Sequence, residues 1–118
     1  MKYLMTQEEF EVLIGRAEPT EERHSGEPPE ATVVYFTATW CGPCRSVRTA
    51  ELEEGLKGVQ WLKCDVDQND YTPGYCEIRS IPTFLVIKNK KILGKFSSTS
   101  TETILANVAT LLGGEEQS

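Results

Sequence analysis

The sequence predicts an α/β protein of three layers, in which a central mixed sheet of four to five strands has helices on both faces. Residues 33–37 are β-branched or aromatic without polar alternation, which is typical of a strand covered on both faces. A segment with helical spacing separates them from a second such run at 59–66, and two strands joined by a helix make a right-handed βαβ unit. Residues 83–87 and 91–96 flank Asn89-Lys90 and predict an antiparallel hairpin. The parallel half and the hairpin half together give a mixed sheet.

The first residues predict an edge strand followed by a short helix. Residues 3–5 form the strand, and Thr6-Gln7-Glu8-Glu9 has the capping-box pattern that opens a helix. The apolar stripe that follows is cut off at Pro19 and consists of Phe10, Leu13, Ile14 and Ala17.

Residues 19–30 contain three prolines, one glycine and several charges with almost no apolar side chains. We therefore expect an exposed loop inside one domain that spans residues 1–118. The only histidine, His24, lies in this loop, where we expect it to be solvated.

The remaining elements follow from breaker and cap residues. A helix at about 42–54 is expected after the first central strand. Residues 69–76 have Pro73-Gly74 at their centre, so we expect turns there. Thr99 or Ser100 caps a last helix that ends at Gly113, and residues 113–118 are expected to be a flexible tail.

Size and charge limit the possible functions. A chain of 118 residues can bury a core without disulfides. The formal net charge of −6 argues against nucleic acid or an anionic membrane as a partner, because both require a basic surface. No apolar run approaches the ~18 residues of a membrane span, and none resembles a secretory leader. We therefore expect a cytoplasmic, reducing location, in which a CxxC motif is more often catalytic than structural.

The stretch Trp40-Cys41-Gly42-Pro43-Cys44 lies at the predicted strand-to-helix turn. Two cysteines at this spacing can close a disulfide and reopen it with little backbone movement. Pro43 suits a first helical turn, where its missing N–H is not needed. Free amides at the helix start would then face the Cys41 sulfur, and Arg45 and Arg48 add positive charge. These features favour the thiolate of Cys41, which is the predicted nucleophile.

A zinc site is the alternative interpretation of the cysteine pair. Zinc takes about four nitrogen or sulfur ligands. Beyond the pair, the chain offers only Cys64, Cys76 and His24, without a second CxxC. We therefore expect redox chemistry and no bound metal.

The motif, together with Asp65-Val66-Asp67 and Ile81-Pro82-Thr83 further along, resembles the thioredoxin family over about residues 33–112. The resemblance implies the thioredoxin fold and a protein-disulfide reductase that works by dithiol-disulfide exchange. Cys41 would be the nucleophile and Cys44 the resolving cysteine. Their disulfide would be the redox-active group, and no bound cofactor would be needed.

The resemblance also implies partners. Protein disulfides would be the substrates, and an NADPH-dependent thioredoxin reductase would supply the electrons. The protein would act in electron transport and cell redox homeostasis, as a monomer.

A second group of residues is assigned to substrate binding. Pro82 matches the family's cis-proline, which lies against the two cysteines and leaves the backbone of Ile81 free to pair with an extended substrate segment. Trp40, Gly42 and Pro43 are expected to form an apolar docking rim. An ordinary trans proline and a core tryptophan are the alternatives.

Two cysteines lie outside the motif. We expect Cys64 to be a small core residue and Cys76 to be a partly exposed residue without a redox role. Cys76 falls where animal cytosolic thioredoxins carry an extra cysteine. Cys64 and Cys76 are both kept as candidate regulatory thiols.

The chain departs from the family at the proton-relay position. Thioredoxins usually have a buried aspartate six residues before the first cysteine, whereas here Tyr35 stands there, and Lys63 lacks its acidic neighbour. A phenol titrating near 10 is a poor base at neutral pH. Resolution by Cys44 is therefore expected to be slower, or to use water and another carboxylate. Thr49 also replaces the proline that kinks the family's active-site helix.

Two other functions remain open at this point. One is a redox-inactive or specialised binding module, such as a subunit of a complex. The other is a disulfide isomerase, although Gly42-Pro43 between the cysteines resembles the reducing members of the family.

Overall fold

The computed structural model describes residues 1–18 and 30–117, and within them five strands and four α-helices. The strands are β1 Lys2–Tyr3, β2 Ala31–Thr37, β3 Gln60–Asp65, β4 Thr83–Lys88 and β5 Lys91–Phe96. The helices are α1 Gln7–Leu13, α2 Thr49–Gly55, α3 Tyr71–Tyr75 and α4 Thr101–Gln117. The predicted loop at 19–30, with His24, lies almost entirely outside the described residues.

The strands form one mixed sheet in the order β1-β3-β2-β4-β5. Strands β1 and β2 both run parallel to β3, while β4 runs antiparallel to β2 and to β5. The predicted βαβ unit, the hairpin and the edge position of the first strand are therefore confirmed. In this order β2 lies at the centre, and its carboxyl end leads into the cysteine motif.

The core has two halves, one on each face of the sheet. On one face, Phe10 and Leu13 of α1 pack with Phe36 and Leu85. The residues packed on the other face include Leu52 of α2, Ile104 and Val108 of α4, and Val33 and Phe84 of the sheet. Every residue of β2 except Thr37 is buried, as expected for a strand covered on both faces. The three-layer α/β/α architecture is confirmed.

Several local signals act as predicted. The Thr6 hydroxyl accepts the Glu9 N–H at 3.1 Å and the Glu9 carboxylate accepts the Thr6 N–H at 3.1 Å, which completes the capping box. The Ser100 hydroxyl accepts the N–H of Thr103 at the start of α4. Asn89 and Lys90 form the hairpin turn with φ of 52° and 66°. No helix in the described part of the chain is long and apolar enough to cross a membrane.

The first helix is shorter than its apolar stripe predicts, and Ala17 lies outside it. Gly15 adopts the left-handed conformation, with φ of 76°. Its N–H donates to the Val12 carbonyl and the N–H of Arg16 donates to the Glu11 carbonyl, as in a Schellman motif. Gly15, rather than Pro19, therefore ends the helix.

The continuous helix expected over 42–54 is wrong. A 3₁₀ turn at Pro43–Ser46 is followed by extended backbone at Val47, with ψ of 123°, and α2 begins only at Thr49. The break therefore occurs without the family's proline at position 49.

Two further expectations are corrected. Residues 71–75 form a short helix rather than turns alone. Pro73 is its third residue, so the missing N–H is one that a helix start leaves unpaired in any case. The last helix continues past Gly113 to Gln117. A glycine that keeps ordinary helical φ costs only about 1 kcal/mol and does not stop a helix by itself.

Candidate active site

The cysteine motif lies just beyond the end of β2, at the start of the 3₁₀ turn. Cys41 and Cys44 form a disulfide, with their Cα atoms 5.3 Å apart. Cys41 is 4% exposed and Cys44 is 7% exposed. The two residues between them, Gly42 and Pro43, are exposed, so the motif presents its backbone to solvent while the sulfurs lie beneath.

The Cys41 sulfur is surrounded by backbone groups. The Cys44 N–H donates a hydrogen bond to it at 3.2 Å, as the sequence predicts for an amide at a helix start. When the disulfide opens, a donor in this position favours the thiolate over the thiol. Because the following helix is broken at Val47, this amide and the nearby Arg45 and Lys63 cations supply positive potential, rather than the dipole of a long helix.

Ile81 and Pro82 lie against the cysteine pair. The Ile81–Pro82 bond is cis, which confirms the prediction for this proline. The Ile81 carbonyl oxygen lies 3.8 Å from the Cys41 sulfur. Strand β4 begins only at Thr83, so the backbone of Ile81 is not used by the sheet.

Trp40 forms part of the rim beside the disulfide. Its side chain is 64% exposed, and its indole N–H donates to the Asp67 carboxylate at 2.7 Å. A groove of about 380 Å³ next to it is lined mainly by apolar side chains, among them Val66, Ile78 and Ile81. Asp67 was not singled out as a site residue from the sequence. Its position just after a buried strand, at the sheet edge that carries the motif, was the available signal.

Tyr35 lies directly beneath the motif. It belongs to a row of paired residues across all five strands, which reads Tyr3, Lys63, Tyr35, Phe84 and Phe96. Its ring stacks on Phe84 with the centroids 4.9 Å apart, and its hydroxyl donates to the Cys44 carbonyl oxygen at 3.3 Å. Burial raises the pKa of Tyr35 above 10 and outweighs the opposing effect of a hydrogen bond with Thr37. The phenol is therefore protonated at neutral pH.

Lys63 has an aromatic neighbour in place of the family's aspartate. Its Nζ lies 5.5 Å from the centroid of the Tyr3 ring, within the range of a cation–π contact. The acidic neighbour that the sequence lacks at position 35 is therefore replaced by the face of a ring on β1.

Cys64 and Cys76 both belong to the apolar cluster on the face opposite Tyr35. Cys64 is fully buried, as expected, but Cys76 is only 8% exposed, so the prediction of partial exposure is wrong. The reason is that Cys76 is the C-cap of α3 and belongs to the same apolar cluster as Leu4 and Phe10. Burial raises the pKa of Cys64 to about 12 and that of Cys76 to about 11. Both thiols are therefore poor nucleophiles at neutral pH.

No group of three or more histidine, cysteine or acidic side chains within residues 1–18 and 30–117 is arranged to hold a metal ion. The donor set around the motif is two sulfurs in a disulfide, backbone groups and separate polar side chains, among them Asp67 at the rim and Asp65 in the adjoining cavity. Such a set suits exchange between disulfides, in which each sulfur is in turn nucleophile, centre and leaving group.

Comparison with known proteins agrees with this chemistry. The family model for thioredoxin matches residues 6–110. Human thioredoxin is 35% identical over 82 residues, which cover 68% of this chain and 78% of that protein. Thioredoxin from Ictalurus punctatus is 38% identical over 76 residues, which cover 61% and 71%.

Solved structures give the same result. Thioredoxin from Fasciola hepatica superimposes with a TM-score of 0.74 at 30% identity and covers 92% of this chain and 97% of its own. Oxidised mitochondrial thioredoxin 3 from Saccharomyces cerevisiae gives a TM-score of 0.75 at 26% identity, with 92% of each chain covered. The family model spans most of the sequence, and the fold and the cysteine pair agree with it. The chain therefore belongs to the thioredoxin family.

Proposed function

We propose that this protein reduces disulfides in other proteins, with Cys41 as the attacking sulfur and Cys44 as the resolving sulfur. Family membership and a Cys41–Cys44 pair at disulfide distance make it a protein-disulfide oxidoreductase that works by dithiol-disulfide exchange. The observation that carries the assignment of roles is the hydrogen bond from the Cys44 amide to the Cys41 sulfur.

The reaction begins with the reduced pair. The Cys41 thiolate attacks one sulfur of a substrate disulfide, which forms a mixed disulfide and releases the other substrate sulfur as a thiolate. The Cys44 amide supports the negative charge on Cys41 before attack. Cys44 has its own N–H aimed at Cys41, so only a small rotation of its side chain brings the two sulfurs together.

The second step releases the substrate. Cys44 loses its proton and attacks the Cys41 sulfur, which breaks the bond to the substrate and restores the Cys41–Cys44 disulfide. Two electrons have then passed from the pair to the substrate. The oxidised form is the end product of this cycle.

Substrate binding is assigned to the surface around the motif. An extended substrate segment would pair with the backbone of Ile81, which no strand of the sheet uses, beside the cis-Pro82. Trp40, held at the rim by Asp67, and the exposed Gly42-Pro43 backbone would cover the substrate's apolar side chains. Main-chain pairing gives a broad choice of protein substrates.

The electron donor and the cellular setting are part of the same proposal. We assign the recharging step to an NADPH-dependent thioredoxin reductase, with no cofactor bound to this chain. We place the protein in the cytoplasm as a monomer, where it would serve electron transport and cell redox homeostasis. Support comes from family membership and from Gly42-Pro43 between the cysteines, which resembles the reducing members of the family.

The test is the rate at which the protein, recycled by dithiothreitol, reduces a model protein disulfide. We expect turnover well above that of Cys41→Ser, and we expect Cys44→Ser to accumulate a covalent complex with the substrate. Turnover equal to that of Cys41→Ser would refute the reductase. Partner binding that survives both substitutions would instead identify a binding module, which no observation here favours.

A further inference from the structure

A cavity of about 260 Å³ lies directly beneath the Cys41–Cys44 disulfide. Both cysteines line it, together with residues at the carboxyl ends of β2 and β3. The charged and titratable side chains that face it are Tyr3 from β1, Tyr35 from β2, Lys63 and Asp65 from β3, and Arg45 from the 3₁₀ turn. Among the described residues that line the cavity, Asp65 is the only carboxylate.

We propose that Asp65 accepts the Cys44 proton during resolution of the mixed disulfide, through water in this cavity. The inference rests on the proposed reductase function and deepens it. It names the group that substitutes for the carboxylate that the chain lacks at position 35.

The sheet register places Asp65 where this role requires it. Tyr35 pairs with Lys63 and Thr37 pairs with Asp65, so all four side chains lie on the same face of two adjacent strands. Asp65 lies two residues closer than Lys63 to the carboxyl end of β3. The cysteines follow the carboxyl end of the neighbouring parallel strand, β2. Asp65 is only 8% exposed. Lys63, which lines the same cavity, supplies a positive charge.

The hydrogen bonds of Asp65 leave one oxygen available. Oδ1 accepts the backbone N–H of Asp67 at 2.9 Å, which fixes the orientation of the carboxylate. Within the described residues, Oδ2 accepts no hydrogen bond. A water molecule occupies about 30 Å³ in the liquid, so the cavity that Asp65 and Cys44 both line has room for water.

Other groups in the cavity are less suited to accept a proton. The Tyr35 hydroxyl donates to the Cys44 carbonyl, and burial keeps the phenol protonated at neutral pH. Lys63 and Arg45 are cations and have no lone pair to offer in that state. Tyr3 is half exposed and lies under the Lys63 ammonium group.

The proposed step balances in atoms and electrons. The proton leaves the Cys44 sulfur, crosses the water bridge and is held by the Asp65 carboxylate. The Cys44 thiolate then forms the bond to the Cys41 sulfur as the bond from Cys41 to the substrate sulfur breaks. The substrate leaves as a thiolate and takes its proton from solvent, while Asp65 returns its proton to water in the cavity.

The experiment isolates resolution from substrate binding. The reduced protein is mixed with one equivalent of dithiobis-nitrobenzoate, a disulfide whose released thiolate absorbs visible light. Release of the first absorbing thiolate reports attack by Cys41, and release of the second reports resolution by Cys44. In Asp65→Asn, which keeps the oxygen that accepts the Asp67 N–H, we expect the second phase near pH 7 to slow at least about tenfold, since a positioned base typically contributes ~100-fold or more.

The pH profile separates proton transfer from a structural effect. In Asp65→Asn the second phase should rise more steeply with pH than in the wild type, because hydroxide must then remove the Cys44 proton, and the two rates should converge at alkaline pH. Asp65→Ser should behave in the same way, and Asp65→Glu should recover part of the rate. Asp70→Asn, which removes an exposed carboxylate outside the cavity, should leave both phases unchanged.

A second phase of wild-type rate and pH profile in both Asp65→Asn and Asp65→Ser would overturn the inference. Equal slowing in Asp70→Asn would also overturn it, because net charge would then explain the effect. A wild-type protein without any second phase would instead refute the proposed reductase function, so the two failures are distinguishable.

Discussion

Replacing Tyr35 by phenylalanine removes a single oxygen atom from directly beneath the active-site disulfide. The ring, its stack on Phe84 and the volume of the core all stay in place. What is lost is the hydrogen bond from the hydroxyl to the Cys44 carbonyl, which is 3.3 Å long, and the contact of the hydroxyl with Thr37. The variant therefore separates the role of the phenol group from that of the aromatic ring.

The expected loss of stability is modest. A neutral hydrogen bond contributes about 0.5–1.5 kcal/mol to the free energy of unfolding. Cys44 and Tyr35 both line the cavity beneath the disulfide, so water in it can replace the lost partner. We therefore expect the free energy of unfolding of Tyr35→Phe to fall by about 0.5–1.5 kcal/mol in denaturant titrations followed by circular dichroism.

The expected effect on catalysis is smaller than that of removing a base. Because the phenol stays protonated at neutral pH, it accepts no proton from Cys44, and we expect reductase turnover at pH 7 to change by less than about threefold. Tyr71→Phe, which removes a hydroxyl from a tyrosine that is 65% exposed, is the matched control for both assays. A loss of about 100-fold in turnover, with an altered pH profile, would show that the phenol transfers the proton and that this reasoning is wrong.

Three further outcomes follow from other parts of the molecule. The raised pKa values of Cys64 and Cys76 mean that the unfolded chain releases these protons first as pH rises above 9. The free energy of unfolding should therefore fall between about pH 9 and 12, and it should fall less in Cys64→Val. If the free energy of unfolding depends on pH in the same way in the wild type and in Cys64→Val, the predicted contribution of Cys64 is wrong. Trp40→Phe keeps an apolar rim but loses the bond to Asp67, so KM for a protein substrate should rise about 2–10-fold with kcat little changed, and an unchanged KM would count against the docking role. Lys95→Met removes the hydrogen bonds from Nζ to the carbonyls of Cys76 and Glu77, just after α3. It should lower the free energy of unfolding by about 1–2 kcal/mol relative to the control Lys91→Met. Equal stability of these two variants in urea titrations would show that the end of α3 does not depend on Lys95.

Periodicity and cap residues predicted most of the architecture because their effects are local. The capping box at Thr6, the apolar run that became β2 and the left-handed turn at Asn89-Lys90 each depend on residues within a few positions of one another. The predictions that were wrong for α1 and α3 also concern signals within a few residues of one another. Gly15 ended α1 before Pro19 could, and Pro73 fitted a helix because it fell within its first turn.

The candidate site was predictable where a motif carries its chemistry in adjacent residues. The cysteine pair was identified in this way, whereas the cis-proline was identified through the resemblance of Ile81-Pro82-Thr83 to the family. Asp67 as the partner of Trp40, and Asp65 in the cavity beneath Cys44, were not identified. Both depend on which strands are neighbours in the sheet and on their register, and one step of register would have turned Asp65 to the opposite face.

By itself, the sequence determined the family, the layered α/β class and the redox pair, because these follow from residue types at short spacing. The tertiary structure alone decided that Cys76 is buried, that the helix after Pro43–Ser46 is broken, and that Tyr35 contacts Cys44 while Lys63 contacts Tyr3. The physical reason is that burial and pairing between strands bring together residues far apart along the chain. A pattern within one segment holds no information about which other segment will cover it.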